Sequence, residues 1–150
     1  MKQFLTFIAL IALAGPVLAQ EPVKVVKADE VAWKGHPVFP GAQIATLVGD
    51  PTKGDTIVQR FKFPPNFKVA PHTHTYTEVA TVLAGTLQLG LGEKFDAGKG
   101  QSLKPGSVFA LKAGDPHYVW TTGEEVIVQI VFTGPAGMIF SNPADDPRKK

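Results

Sequence analysis

Three of the four histidines in this 150-residue chain fall at spacings that suit a metal ion. His72-Thr73-His74 sets two imidazoles at i and i+2, and on an extended strand such side chains share one face. Glu78 follows His74 by four residues and keeps the same parity, so a continuous strand would aim its carboxylate the same way. His117 lies far along the chain and must arrive by folding. Three imidazoles and one carboxylate suit one divalent transition metal ion of borderline softness: Fe(II), Mn(II), Ni(II), Cu(II) or Zn(II). A His-x-His pair alone is weak evidence. The string His72-x-His74-x3-Glu78-x6-Gly85 is far more restrictive, and its glycine ends the strand that carries the carboxylate. His36, in a Gly35-His36-Pro37 turn, reads as a surface or packing residue. The chain has no cysteine, so any metal must be held by nitrogen and oxygen alone, and disulfides and thiolate chemistry are excluded.

The elements that must position these residues are short. Thirteen prolines and fifteen glycines punctuate the chain, and between them lie β-branched and aromatic runs. Strands are expected over residues 43–48, 56–63, 78–83, 86–91, 107–111, 117–122, 126–132 and 136–140. Short strands separated by turn signals imply an all-β sandwich or barrel. Gly85 between two of them fits a tight hairpin. Residues 92–100 read as a polar loop with one helical turn at 93–96, and residues 143–150 as a solvated, charged end.

Composition narrows the function. Fifteen basic against thirteen acidic side chains give a formal charge of +2, too small to argue for nucleic acid or an anionic membrane surface. Residues 1–19 have the form of a secretory signal peptide: Lys2, an apolar stretch over 4–14, the Gly15-Pro16 break, and Val17-Leu18-Ala19 before a cleavage point after Ala19. The remaining residues 20–150 are then one domain, secreted or periplasmic and free of the membrane, with a core that needs no disulfide.

The two site-bearing segments resemble the motifs of the cupin superfamily. The family's first motif, G-x5-H-x-H-x3,4-E-x6-G, is met by Asn66-x5-His72-x-His74-x3-Glu78-x6-Gly85, with asparagine in place of the leading glycine. Asparagine is the next best residue for a left-handed backbone position. The second, G-x5-P-x-G-x2-H-x3-N, is met by Gly106-x5-Lys112-x-Gly114-x2-His117-x3-Thr121, with lysine for the proline and threonine for the asparagine. The chain is also similar to small cupins related to the sensor domain of ChrR-type anti-sigma factors. The resemblance implies a cupin-type jelly-roll β-barrel, or double-stranded β-helix, with the metal inside its mouth. It implies His72, His74, Glu78 and His117 as metal ligands, and a homodimer. The apolar segment 22–28 could add a strand to a neighbour or pair within its own sheet.

Four protein ligands leave positions open on a five- or six-coordinate ion, as a catalytic site requires. The expected function is a metal-dependent, oxygenase-like enzyme acting on a small organic substrate, with Glu78 the candidate base. A non-catalytic metal- or ligand-binding or sensing module is the alternative, since one fold hosts many functions. Strand parity offers Tyr76, Ala80, Val82, Val119, Phe61 and Phe63 as inward residues, with plain packing as the competing role. It turns Tyr118 and Trp120 the other way. Arg60 could hold a carboxylate substrate or lie outward. Thr81 and Gln129 could support the site or face outward.

Overall fold

The structure is a computed structural model and describes residues 23–149. The leader expected over residues 1–19 lies outside the described residues. Nearly all regular structure is strand: β1 (Lys34–Gly35), β2 (Gln43–Val48), β3 (Thr56–Phe63), β4 (Lys68–His74), β5 (Glu78–Ala84), β6 (Leu87–Leu91), β7 (Gln101–Leu103), β8 (Val108–Leu111), β9 (His117–Trp120), β10 (Val126–Thr133) and β11 (Met138–Phe140). The rest is loop and single 3₁₀ turns. No helix among the described residues is long and apolar enough to cross a membrane.

The strands form two antiparallel sheets, ordered β1-β2-β3-β10-β5-β8 and β11-β4-β9-β6-β7. From β3 to β11 the chain crosses between the sheets at almost every connection, the winding of a jelly roll. The sheets face one another without a ladder that closes them into a continuous barrel. The alternating sequences of β3 and β10 explain the packing. Ile57, Phe63, Val126, Val128, Ile130 and Phe132 point inward and are buried, while Arg60 and Gln129 stand opposite one another on the outer face. There the Arg60 Nε donates to Gln129 Oε1 at 3.0 Å. Thr81 pairs with Gln129 in register, so all three residues take the outward alternative.

The expected left-handed position is present. Asn66 has φ 58° and is the one non-glycine residue with positive φ among those described. Its N–H donates to the Thr122 carbonyl at 2.6 Å, closing the turn that leads into β4. Gly85, at φ 69°, forms the β5–β6 turn, where any Cβ would meet the Glu125 carbonyl.

Four expectations need correction. The helical turn comes later than residues 93–96, at Ala97–Lys99, because Asp96 caps it by accepting from Gly98 N at 2.9 Å. The C-terminal end, expected to be solvated throughout, is solvated only in part: most of its residues are exposed, but Asp146 is buried, and Arg148 donates to it at 2.7 and 2.8 Å and to the Met138 carbonyl at 3.3 Å. Residues 23–27 form no strand, so they do not pair within their own sheet. His74 and Glu78 do not share a strand; residues 75–77 bend between β4 and β5 and carry the chain from one sheet to the other.

Replacing Asn66 by alanine is expected to cost about 1 kcal/mol, the strain of a Cβ in left-handed backbone without the local bonding of asparagine. Asn66→Gly should stay within about 0.5 kcal/mol of the parent. Denaturant unfolding of the pair checks this; equal losses in both variants would place the role of Asn66 in its side chain instead.

Candidate metal centre

The site begins with a flaw in strand β4. Val69 pairs with Val119 and His72 with His117, so three residues on β4 span the distance of two on β9. This is a β-bulge, centred on Ala70 and Pro71. Side chains alternate strictly along a regular strand, so Val69 and His72 would otherwise face opposite ways. The extra residue lets Val69, His72 and His74 all face the space between the sheets. Proline is tolerated at a bulge because no ladder N–H is lost there.

Four side chains then meet. His72 and His74 come from β4 and His117 from the adjacent β9. Their ring centroids lie 4.2 Å (His72 to His117), 4.9 Å (His72 to His74) and 5.3 Å (His74 to His117) apart. One nitrogen from each can be chosen so that all lie within 4.8 Å of one another. Glu78 enters from β5 in the facing sheet, with its Oε2 3.2 Å from His74 Nε2. The three histidines named from the sequence are brought together in one group that could hold an ion, and Glu78 reaches His74 without joining that group. Glu78 arrives by the inter-sheet bend rather than by strand parity.

Backbone carbonyls fix the tautomers. Nδ1 of His72 lies 2.8 Å from the Ala70 carbonyl, Nδ1 of His74 lies 3.1 Å from that of Gly137, and Nδ1 of His117 lies 3.1 Å from that of Asp115. A carbonyl only accepts, so each Nδ1 carries the proton and donates. Each Nε2 is left with a lone pair, the arrangement a metal-binding imidazole needs. Burial lowers the pKa of all three: His72 falls well below the ordinary value, helped by the charges of His117 and His74, and His74 falls to about 4. Burial pushes Glu78 up to about 7. The short His74–Glu78 contact therefore joins two groups whose charged forms burial disfavours. A divalent ion there would favour the ionised carboxylate. Neutral nitrogen donors, one anionic oxygen donor and carbonyls behind the rings all fit such an ion.

Above this floor is an open space with an empty volume of ≈ 500 Å³, including solvent at its mouth. Its walls include Phe61, Phe63, Val119 and Tyr76, as expected, together with Phe39, Phe109, Val128, Ile130 and Met138. Ala80 and Val82 face inward but are sealed in the core, with no exposure. Tyr118 is also buried and turned away, its hydroxyl donating to the Asp96 carbonyl at 3.0 Å. Among the described residues no lysine or arginine lines the space, which removes Arg60 as a carboxylate anchor. His36 is a packing residue. Its Nδ1 accepts from Val38 N at 3.0 Å and Phe39 N at 3.1 Å, and its ring lies 4.7 Å from that of Phe39.

Residues 59–134 match the cupin domain family, and the chain belongs to it. A germin-like protein, subfamily 2 member 1, from Arabidopsis thaliana is 38% identical over 85 residues, which are 56% of this chain. The chain spans 38% of that relative's length. The polyketide cyclase RemF from Streptomyces resistomycificus superposes with a TM-score of 0.65 at 23% identity, over 85% of this chain and 92% of the other. An uncharacterised double-stranded β-helix protein from Klebsiella pneumoniae superposes at 0.61 with 22% identity, over 81% and 99%. The fold is thus that of a double-stranded β-helix, and its neighbours include an enzyme.

His72→Ala and His117→Ala are expected to lose nearly all bound divalent metal, while circular dichroism keeps the β signature. Gly137→Val should act less severely. A side chain there would strike Thr75, disturbing the carbonyl that holds His74, and an affinity loss of about 10- to 100-fold is expected. Elemental analysis after dialysis against a weak chelator reads both; parental metal content in the histidine variants would refute the site.

Proposed function

We propose that this chain is an exported, metal-dependent enzyme that acts on a small, largely apolar organic molecule held over His72, His74, Glu78 and His117. One observation carries the reading: the grouped histidines and Glu78 line an open space with apolar walls and, among the described residues, no lysine or arginine. A closed structural site would have no such space. When bound, the ion supplies Lewis acidity, and with iron also oxygenase-like chemistry with dioxygen. The protein's own residues do the rest. Phe39, Phe61 and Phe63 bind the apolar body of the substrate and exclude water. The three carbonyl-held imidazoles keep the donor atoms fixed through turnover. Glu78, buried beside His74 at the edge of the open space, is the group placed to accept or return a proton. Export rests on the leader-like residues 1–19. A homodimer is supported by the exposed apolar side chains of Val79 and Leu83 on β5 and Val108 on the edge strand β8, and light scattering tests it.

The decisive experiment loads the protein separately with Fe(II), Mn(II), Ni(II) and Zn(II). Each form is then offered neutral oxygenated arenes while dioxygen uptake and product are followed. At least one form should turn over, and Glu78→Gln should lower that rate about 100-fold or more at equal metal content. Full turnover by Glu78→Gln would remove its role as base. Tight ligand binding without product in every form would favour the non-catalytic binding module.

A further inference from the structure

The polar groups around the open space are nearly all committed. Each imidazole Nδ1 is held by a backbone carbonyl, and Glu78 is engaged with His74. Tyr76 is the exception. It lines the space, and its hydroxyl has no hydrogen-bond partner among the described residues. No side-chain nitrogen or oxygen shut away from solvent lacks a partner among those residues, so this hydroxyl is not sealed in the core. It opens onto accessible space.

The ring that carries it is firmly placed. It is stacked on His74 (4.8 Å between centroids, 21° between planes) and on Phe132 (4.0 Å, 17°). The bend that bears it is tied to the loop before β11, where Thr75 N donates to the Gly137 carbonyl at 3.3 Å. A phenylalanine would make the same two stacks. The hydroxyl is thus surplus to packing, and among the described residues Tyr76 is the one residue lining the space whose side-chain hydrogen-bond donor has no partner.

We infer that Tyr76 is a specificity-determining residue whose hydroxyl donates to a second oxygen of a neutral, flat substrate while a first oxygen engages the metal centre. This inference rests on the metal-dependent reading above and names its substrate class: uncharged arenes or enols bearing two oxygens. The apolar walls accept the body of such a molecule, and a lining without lysine or arginine among the described residues disfavours an anion. Tyr76 touches substrate and leaves the ion to the histidines and Glu78.

The test uses Zn(II)-loaded protein, with metal content measured first. Calorimetric titrations compare phenol, which has one oxygen, with catechol, resorcinol and hydroquinone, which place a second oxygen at three spacings. At least one of the three should bind the parent clearly more tightly than phenol. Tyr76→Phe should weaken that probe about fivefold, the worth of one neutral hydrogen bond, with phenol affinity and zinc content unchanged. Equal affinities of parent and Tyr76→Phe for every two-oxygen probe would overturn the assignment, as would parent protein with full zinc that prefers none of them to phenol. Loss of zinc in Tyr76→Phe would also overturn it, by making the residue a structural support. A parent protein that takes up none of Zn(II), Fe(II), Mn(II) and Ni(II) defeats the metal-dependent reading itself, an outcome visible before any probe is added.

Discussion

The site depends on one extra residue in β4. With a strict two-residue period, the face that buries Val69 would turn His72 and His74 to the outside of the sheet. The bulge at Ala70 and Pro71 removes that conflict, so a buried valine and two inward histidines share a strand. It serves a second purpose. The Ala70 carbonyl is placed to accept from His72 Nδ1 at 2.8 Å, so the distortion that aims the ring also sets its tautomer. Bulges recur beside active sites because they re-aim a side chain at little cost to the rest of the sheet. Here the neighbouring strand β9 stays regular and delivers His117 opposite His72.

The electrostatics follow from packing these rings so closely. Three imidazoles with centroids 4.2–5.3 Å apart cannot all be charged in a buried setting, and burial is the first cause of each lowered pKa. The same burial acts on Glu78 in the opposite sense, because desolvation always disfavours the charged form. In the metal-free centre burial thus favours the uncharged form of every one of these groups. That state costs little desolvation and presents lone pairs in the geometry an ion can use. No cysteine is needed, and none is present.

Much of this was legible in the sequence, for identifiable reasons. β3 falls where alternation places it, and β2 where a β-branched run between turn residues places it. The candidate site residues were visible because the motif spacings encode turns: Asn66 at φ 58° and Gly106 and Gly114 at φ 89° and 85° sit where the pattern asks for left-handed backbone. What was missed depends on non-local pairing. The parity argument led to Glu78 but assumed a continuous strand, whereas residues 75–77 cross between sheets. Pro71 was the available signal for the bulge, since a proline within a sheet is confined to edges, strand starts and bulges. The walls contributed by Phe39, Phe109 and Met138 come from segments far apart in the chain, and no local pattern marks them. The docked C-terminus was read as solvated because its residues are charged; a buried Asp146 paired with Arg148 is invisible to composition.

That docked end bears on the site. β11 is a three-residue edge strand, and a strand that short has few ladder bonds to hold it in place. Yet Met138 walls the open space, Phe140 packs 6.1 Å from His72, and the Gly137 carbonyl just before the strand fixes His74. Arg148 reaches back to the Met138 carbonyl and lies 5.7 Å over the Phe140 ring, while its guanidinium is held by Asp146. The charged residues Asp146 and Arg148 thus clamp a short edge strand at the point where it supports His74. A centre built on carbonyl-fixed imidazoles needs each of those carbonyls held still. For His72 the bulge provides this, for His117 the turn at Asp115, and for His74 an edge strand secured by the end of the chain.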